Sequence, residues 1–140
     1  MIRLVIPSLP PSANNAYFNL PKGGRALTTG AKKYLTETKA YLSQNYRIEL
    51  ASFQPDVPYG LWVRFYFPDL ENTTWPKAAK TRYKKFDATN RIKLLEDALK
   101  DVAGIDDSQH LVVILQKLQG DTATELFIWR PDKEAAPIVV

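Results

Sequence analysis

Nine consecutive residues, Tyr59–Phe67 (YGLWVRFYF), are dominated by aromatic, aliphatic and β-branched side chains, and Pro68 closes the run. Such a segment fits a pleated, largely buried surface, so it reads as a strand serving either as core or as a dimer interface. Other strands are expected around it. Ile2, Leu4 and Ile6 alternate with Arg3 and Val5, and residues 111–118 and 125–129 read as two strands joined by a turn at Gly120 and Asp121. Two segments carry a helical period instead. Thr28 or Thr29 can cap a helix whose apolar side runs through Ala31, Tyr34, Leu35, Thr38, Tyr41, Leu42 and Tyr46. A second helix starts at Asp87, presents Ile92, Leu95, Leu99 and Val102 on one face, and ends near Gly104. Residues 12–30 and 69–86 are rich in loop-forming residues and read as long loops, a length that in compact domains often carries function. The order strand, helix, strand, helix, strand, strand predicts an α+β (α/β) fold: a single mixed sheet with two main helices packed on it. Strand order is not legible at this stage.

At 140 residues the chain suits one domain, expected over residues 1–130, with 131–140 as a flexible tail. There is no cysteine, which excludes disulfides, thiolate catalysis and zinc–thiolate sites. No stretch reaches the roughly 18 apolar residues of a membrane helix, and the N-terminus lacks an apolar signal core. A cytoplasmic protein with no membrane contact is expected. The net charge of +4 is modest; its distribution says more.

Acidic residues concentrate in residues 84–109, KKFDATNRIKLLEDALKDVAGIDDSQ. Asp87, Asn90, Lys93 and Asp97 recur at spacings of three and four, so they share a helix face. Asp106 and Asp107 follow the glycine. A helix of about 15 residues spans about 22 Å, so Asp107 meets Asp87 only across subunits or if the chain folds back. Magnesium takes hard oxygen ligands, and one or two carboxylates with water and substrate phosphate suffice. A bound metal lowers the pKa of water and neutralises developing charge, and Lys93 can hold phosphate or the attacking water. The same residues equally fit plain structural roles: Asp87 as an N-cap with Asn90 beside it, Lys93 and Asp97 as a surface ion pair, Asp106 and Asp107 as turn residues. Spacing alone leaves both readings open.

The stretch resembles the RusA-type Holliday junction resolvases. That family carries D-x-D-N-x-x-K-x-x-x-D-A-L, a short link, a glycine and D-D-x-Q. Here stand Asp87-Ala88-Thr89-Asn90-Arg91-Ile92-Lys93, then Asp97-Ala98-Leu99, then Gly104-Ile105-Asp106-Asp107-Ser108-Gln109. Leu9-Pro10-Pro11-Ser12, Asn14 or Asn15, Tyr17 and Gly24-Arg25 follow the family's opening. The resemblance spans roughly Pro10 to Gln109 and implies a homodimeric enzyme, common in phages and prophages, that cuts four-way DNA junctions in recombination and repair with Mg2+ (or Mn2+). It implies Asp87, Lys93 and Asp107 as catalytic residues, Asp87 and Asp107 as metal ligands, and Asn90, Asp97, Asp106 and Gln109 as supporting residues. One position departs: the family's second aspartate is Thr89, a neutral hydroxyl and a poor magnesium ligand. Either Asp87 and Asp107 hold the metal with more waters, or another acid (Asp97, Asp106 or Glu96) takes over, or the chain is a non-cleaving protein that binds branched DNA.

Lys77, Lys80, Arg82, Lys84 and Lys85 crowd the loop before Asp87, with Trp75, Tyr83 and Phe86 interleaved. Cations there neutralise phosphate and rings stack on bases exposed at a branch point. The plain alternative is a solvated loop whose Trp75 and Phe86 pack into the core. Lys22, Arg25, Lys32 and Lys33 form a second basic group; Arg25, Lys32 and Lys33 join the expected DNA-binding set. His110 is expected to be a polar residue at a strand entrance, without a role.

Overall fold

The computed structural model describes residues 1–137; residues 138–140, part of the expected tail, lie outside the described residues, as do the side chains of Ala13, Asn14 and Asn90. Strand β1 (Ile2–Ile6) leads through the short helix α1 (Ala13–Ala16) into a hairpin of β2 (Tyr17–Asn19) and β3 (Arg25–Leu27). Helices α2 (Thr29–Asn45) and α3 (Arg47–Ala51), strand β4 (Tyr59–Phe67), helix α4 (Ala88–Ala103), a 3-10 turn (Asp107–Gln109), β5 (His110–Gln119) and β6 (Ala123–Trp129) follow. The main sheet has the order β1-β6-β4-β5, with β4 antiparallel to β6 and parallel to β5. The expected mixed sheet with two main helices is therefore present. The last two strands are joined at Gly120 but do not pair: β6 crosses to the far side of β4. The physical reason is that β4 is buried along most of its length on both faces, so it gains most in the centre of the sheet.

The first long loop is more structured than its composition implies. Asn, Gly and Pro there serve a one-turn helix and a hairpin, in which Gly23 and Gly24 take φ of +91° and +84°. Thr28 is the N-cap of α2: its hydroxyl accepts from Ala31 N at 3.2 Å and donates to Asn15 O at 2.8 Å, which ties α1 to the start of α2. Ala31, Tyr34, Thr38 and Leu42 form the buried stripe of α2. Gly104, at φ +73°, ends α4.

The core lies between the helices and one face of the sheet. Leu4 and Ile6 of β1, Leu61, Val63 and Phe65 of β4 and Leu126 of β6 meet Leu42 of α2 and Leu95 and Leu99 of α4, all at most 1% exposed. The alternate residues of β4 face the other side and are covered by neighbouring strands. Trp62 stacks on Phe127 at 4.7 Å, and its Nε1 donates to Gln116 at 2.8 Å. Glu125 accepts from Arg3, Arg64 and Tyr66. Burial opposes its charge, but these donors and the two guanidiniums outweigh that and hold its carboxyl below the ordinary value. Gly60 lies under the indole of Trp129, where an added Cβ would stand 2.3 Å from a ring carbon.

That close approach gives a stability prediction. Gly60→Ala forces the Trp129 ring out of place and lowers the free energy of unfolding by about 1–3 kcal/mol, an ordinary overpacking cost. Urea unfolding monitored by circular dichroism is expected to show a lower midpoint with an unchanged slope.

Candidate functional site

Parallel pairing of β4 and β5 requires a crossover, and α4 supplies it by running back across the sheet. Asp87, just before α4, therefore stands near the C-terminal half of β5, while Asp107 stands just before the start of β5. About 24 Å of helix separates the two ends. The two residues expected to share a metal are not brought together within the subunit. Among the described residues no group of three or more His, Cys, Asp or Glu side chains is placed to hold a metal ion.

At the first end, Lys85, Phe86, Asp87, Ala88, Thr89, Leu115 and Lys117 line an open depression. The backbone entering it is fixed on several sides. Phe86 stacks on Phe67 at 4.3 Å with the rings 3° from parallel. Arg91 lies over both rings, at 5.4 and 5.7 Å, and its Nη1 donates to Pro10 O at 2.7 Å. Burial pulls the Arg91 guanidinium below its ordinary value, while the negative charge of Asp87 pushes the other way. Lys117 Nζ donates to Phe86 O at 2.9 Å. The Thr89 hydroxyl donates to Asp87 Oδ1 at 2.7 Å. At the position where the resemblance expects a second acid, the chain thus supplies a hydrogen-bond donor to the first.

At the other end, the D-D-x-Q segment is a capping box around a 3-10 turn. Asp106 is its N-cap and accepts from Asp107 N at 3.0 Å; Gln109 Oε1 accepts from Asp106 N at 2.9 Å. The Gln109 amide also donates to Gln54 O and Val57 O, pinning the turn to the loop before β4. Ser108 Oγ donates to Asp106 Oδ2, and Lys100 stands 3.4 Å away. The Ser108 bond is the first cause holding the Asp106 carboxyl below its ordinary value, with Lys100 adding to it. Asp106 and Gln109 thereby build the turn and leave the Asp107 side chain exposed. His110 is not a bystander: its side chain is 3% exposed and its Nδ1 lies 2.7 Å from Glu96 Oε2, closing α4 onto β5.

Lys93 and Asp97 stand exposed on α4 between the two ends. Burial raises the Asp97 pKa above its ordinary value; Lys93 lowers it, and Asp101, Glu96 and Asp107 raise it further. Asn90 is in the first turn of α4, its side chain outside the described residues.

The basic groups divide. Lys77 and Lys80 are exposed, Lys85 lines the Asp87 depression, and Lys84 pairs with Asp69 at 2.8 Å. Arg25, on β3, lies 4.8 Å over the Tyr17 ring. Lys32 and Lys33 are exposed in the first turn of α2, with Lys33 3.9 Å from Glu37. Of the three interleaved aromatics, Phe86 packs against the core, while Trp75 and Tyr83 are 44% and 47% exposed. Sequence reasoning missed Lys117 and Arg91. Lys117 reaches the carbonyl of Phe86, the residue before Asp87, from 31 residues away, which leaves no local signal; the stacking of Arg91 on Phe86 follows an i, i+5 separation outside the helix pairs usually scanned. No helix among the described residues is long and apolar enough to cross a membrane.

The raised pKa of Asp97 sets a pH dependence. A carboxyl with a folded pKa above its unfolded value costs stability when ionised, and the cost vanishes once pH falls below the unfolded value near 4. Asp97→Asn is therefore expected to raise the thermal midpoint at pH 7.5, with the difference closing by about pH 3. Scanning calorimetry across that range checks it.

In comparisons with known proteins, a family model described as Endodeoxyribonuclease RusA matches residues 7–129. No curated protein matches the chain.

Proposed function

The chain belongs to the RusA endodeoxyribonuclease family, and from that membership we propose that it is a homodimeric, magnesium-dependent resolvase of four-way DNA junctions whose metal site forms between two subunits. The observation that carries this reading is the separation of Asp87 and Asp107 at opposite ends of α4. Magnesium takes one or two carboxylates with water and substrate phosphate, and a site shared between two subunits would supply two of them.

The free edge of the sheet supplies a way to join them. Strand β5 pairs on one side only, and Leu111, Val112 and Val113 on it are 69%, 37% and 44% exposed. A bare apolar edge invites another strand. Pairing β5 with its copy about a two-fold axis runs the strands antiparallel, and the two α4 helices, each antiparallel to its own β5, then lie side by side in opposite directions. Asp87 of one protomer so approaches Asp107 of its partner, and the arrangement repeats on the other side of the axis. Two equivalent sites suit two opposed strands of a four-way junction.

Magnesium held by Asp87 and Asp107 would activate a water molecule and offset charge on the phosphate. Lys93, Lys85 and Lys117 are placed along the same helix face or in the Asp87 depression to hold phosphate oxygens. Lys77, Lys80, Arg25, Lys32 and Lys33 guide the DNA arms by phosphate neutralisation. A second reading, a branched-DNA-binding protein that does not cut, is favoured by one observation: the Thr89 hydroxyl, bonded to Asp87, occupies the position of the family's second aspartate.

Cleavage of an end-labelled synthetic four-way junction separates them. Paired cuts that need Mg2+, stop with EDTA and vanish in Asp107→Asn support the resolvase; binding without cutting, with cleavage gained in Thr89→Asp, supports the second reading. Mixing tests the shared site. Asp87→Asn and Asp107→Asn homodimers are each inactive, but their heterodimer keeps one intact pair, so exchanged mixtures are expected to regain roughly a quarter of parental nicking, as single-strand nicks. If the mixture stays inactive after verified subunit exchange, each site lies within one chain.

A further inference from the structure

We propose that Trp75, Arg82 and Tyr83 form a docking platform for one unstacked nucleobase, which selects DNA with unpaired or branch-point bases over continuous duplex. That the ligand is DNA rests on the reading above; the platform itself rests on three observations. The Arg82 guanidinium lies 5.6 Å from the centre of the Trp75 ring and 5.4 Å from that of Tyr83. Both rings are nearly half exposed, whereas Trp62 and Trp129 are 6% and 2% exposed. Arg82 has no carboxylate partner among the described residues, although Lys84, two residues on, has one.

The backbone beneath this group is held firmly. Asn72 N donates to Arg82 O and Lys84 N to Leu70 O, each at 2.8 Å, and Asn72 Nδ2 donates to Thr81 O at 2.8 Å. Glu71 and Tyr83 form a β-bridge, the Lys84–Asp69 ion pair closes the base of the loop, and Leu70 is buried. The rings are thus presented from an ordered excursion. The half-exposed indole and phenol, with the planar guanidinium between them, present flat faces that a planar ligand can cover. A nucleobase fits that demand: it stacks on aromatic faces and guanidinium planes without regard to sequence, at about 1–3 kcal/mol per base. Lys77 and Lys80, exposed on the same loop, suit the phosphates on either side. In continuous duplex the base faces are occupied by neighbouring base pairs, so only single-stranded or branch-point bases qualify. Tyr83 is four residues from Asp87, close enough in the chain for a captured base to fix the register of the neighbouring phosphate.

Trp75 is the one solvent-accessible indole of the three, so its fluorescence reports on the platform directly. The protein is titrated in EDTA with oligo(dT), with a relaxed, covalently closed duplex circle and with a four-way junction, and affinities are read in parallel from the anisotropy of labelled DNA. Oligo(dT) and the junction are expected to quench Trp75 emission saturably, and the closed duplex is not. Trp75→Ala and Arg82→Lys, the latter keeping the charge but not the plane, are expected to weaken oligo(dT) binding about tenfold or more, Trp75→Phe to retain it, and all three to leave duplex affinity within about twofold. Equal quenching by closed duplex, or oligo(dT) affinity unchanged in Trp75→Ala, overturns the proposal. Because no metal or cleavage enters the measurement, platform and chemistry fail separately. Quenching without junction cleavage keeps the platform and removes the nuclease reading; cleavage with Trp75→Ala binding like the parent removes the platform alone.

Discussion

The parallel pairing of β4 with β5 is the constraint on which the rest depends. Two parallel neighbours cannot be joined by a tight turn, so the chain must cross the sheet, and α4 is that crossing. Once α4 runs back over the sheet, its two ends are fixed at opposite ends of β5, each with one of the two acids proposed to share a metal. The same pairing puts β5 at the edge with one side unsatisfied. A divided acidic pair and an open, apolar edge are two consequences of one topological choice. The two-fold repeat proposed across that edge would answer both at once, whereas pairing through the other face of the sheet would carry the two α4 helices apart.

Within the D-D-x-Q segment the roles divide by geometry. Asp106 and Gln109 bond each other's backbone and the loop before β4, so they fix the turn. Asp107 contributes its backbone to that turn and keeps its carboxylate outward. The buried Glu96–His110 contact does similar work one step along, holding the middle of α4 against the start of β5. At the other end, Arg91 does for Asp87 what Gln109 does for Asp107. It presses on Phe86, the residue before the acid, and reaches Pro10 on a different part of the chain.

Much of the fold was legible because its long elements repeat cleanly. The Tyr59–Phe67 run, the apolar face Ile92, Leu95, Leu99, Val102, and the Thr28 cap all act through local periodicity or local hydrogen bonding. The hairpin of β2 and β3 was hidden because its strands are three residues each, too short to show a period, and Asn, Gly and Pro there signalled only irregular chain. Strand order was hidden because the Gly120 turn suggests a hairpin, while burial of both faces of β4 decides otherwise. In the candidate site, the family resemblance, and not spacing alone, pointed to the acids and Lys93, and the helix length already required a second subunit or a fold-back. Lys117 could not be found this way: its ammonium meets the Phe86 carbonyl from 31 residues away, a contact only the folded chain makes.

Thr89 changes the electrostatics of the Asp87 end more than its size suggests. With one carboxylate there, set against Lys85, Lys117 and Arg91, the depression carries more positive than negative charge within the subunit. A second aspartate would narrow that excess and provide a metal ligand without help. As it stands, this end favours phosphate over a bare divalent cation, and the Thr89 hydroxyl occupies one oxygen of its single acid. On the two-subunit reading, the carboxylate that tips the balance toward metal arrives with the partner, beside a substrate phosphate already held by the lysines. Metal binding in this chain is then coupled to dimerisation and to DNA more tightly than in a chain that carries both aspartates. The isolated subunit would be a DNA-binding surface first and a metal site only once assembled.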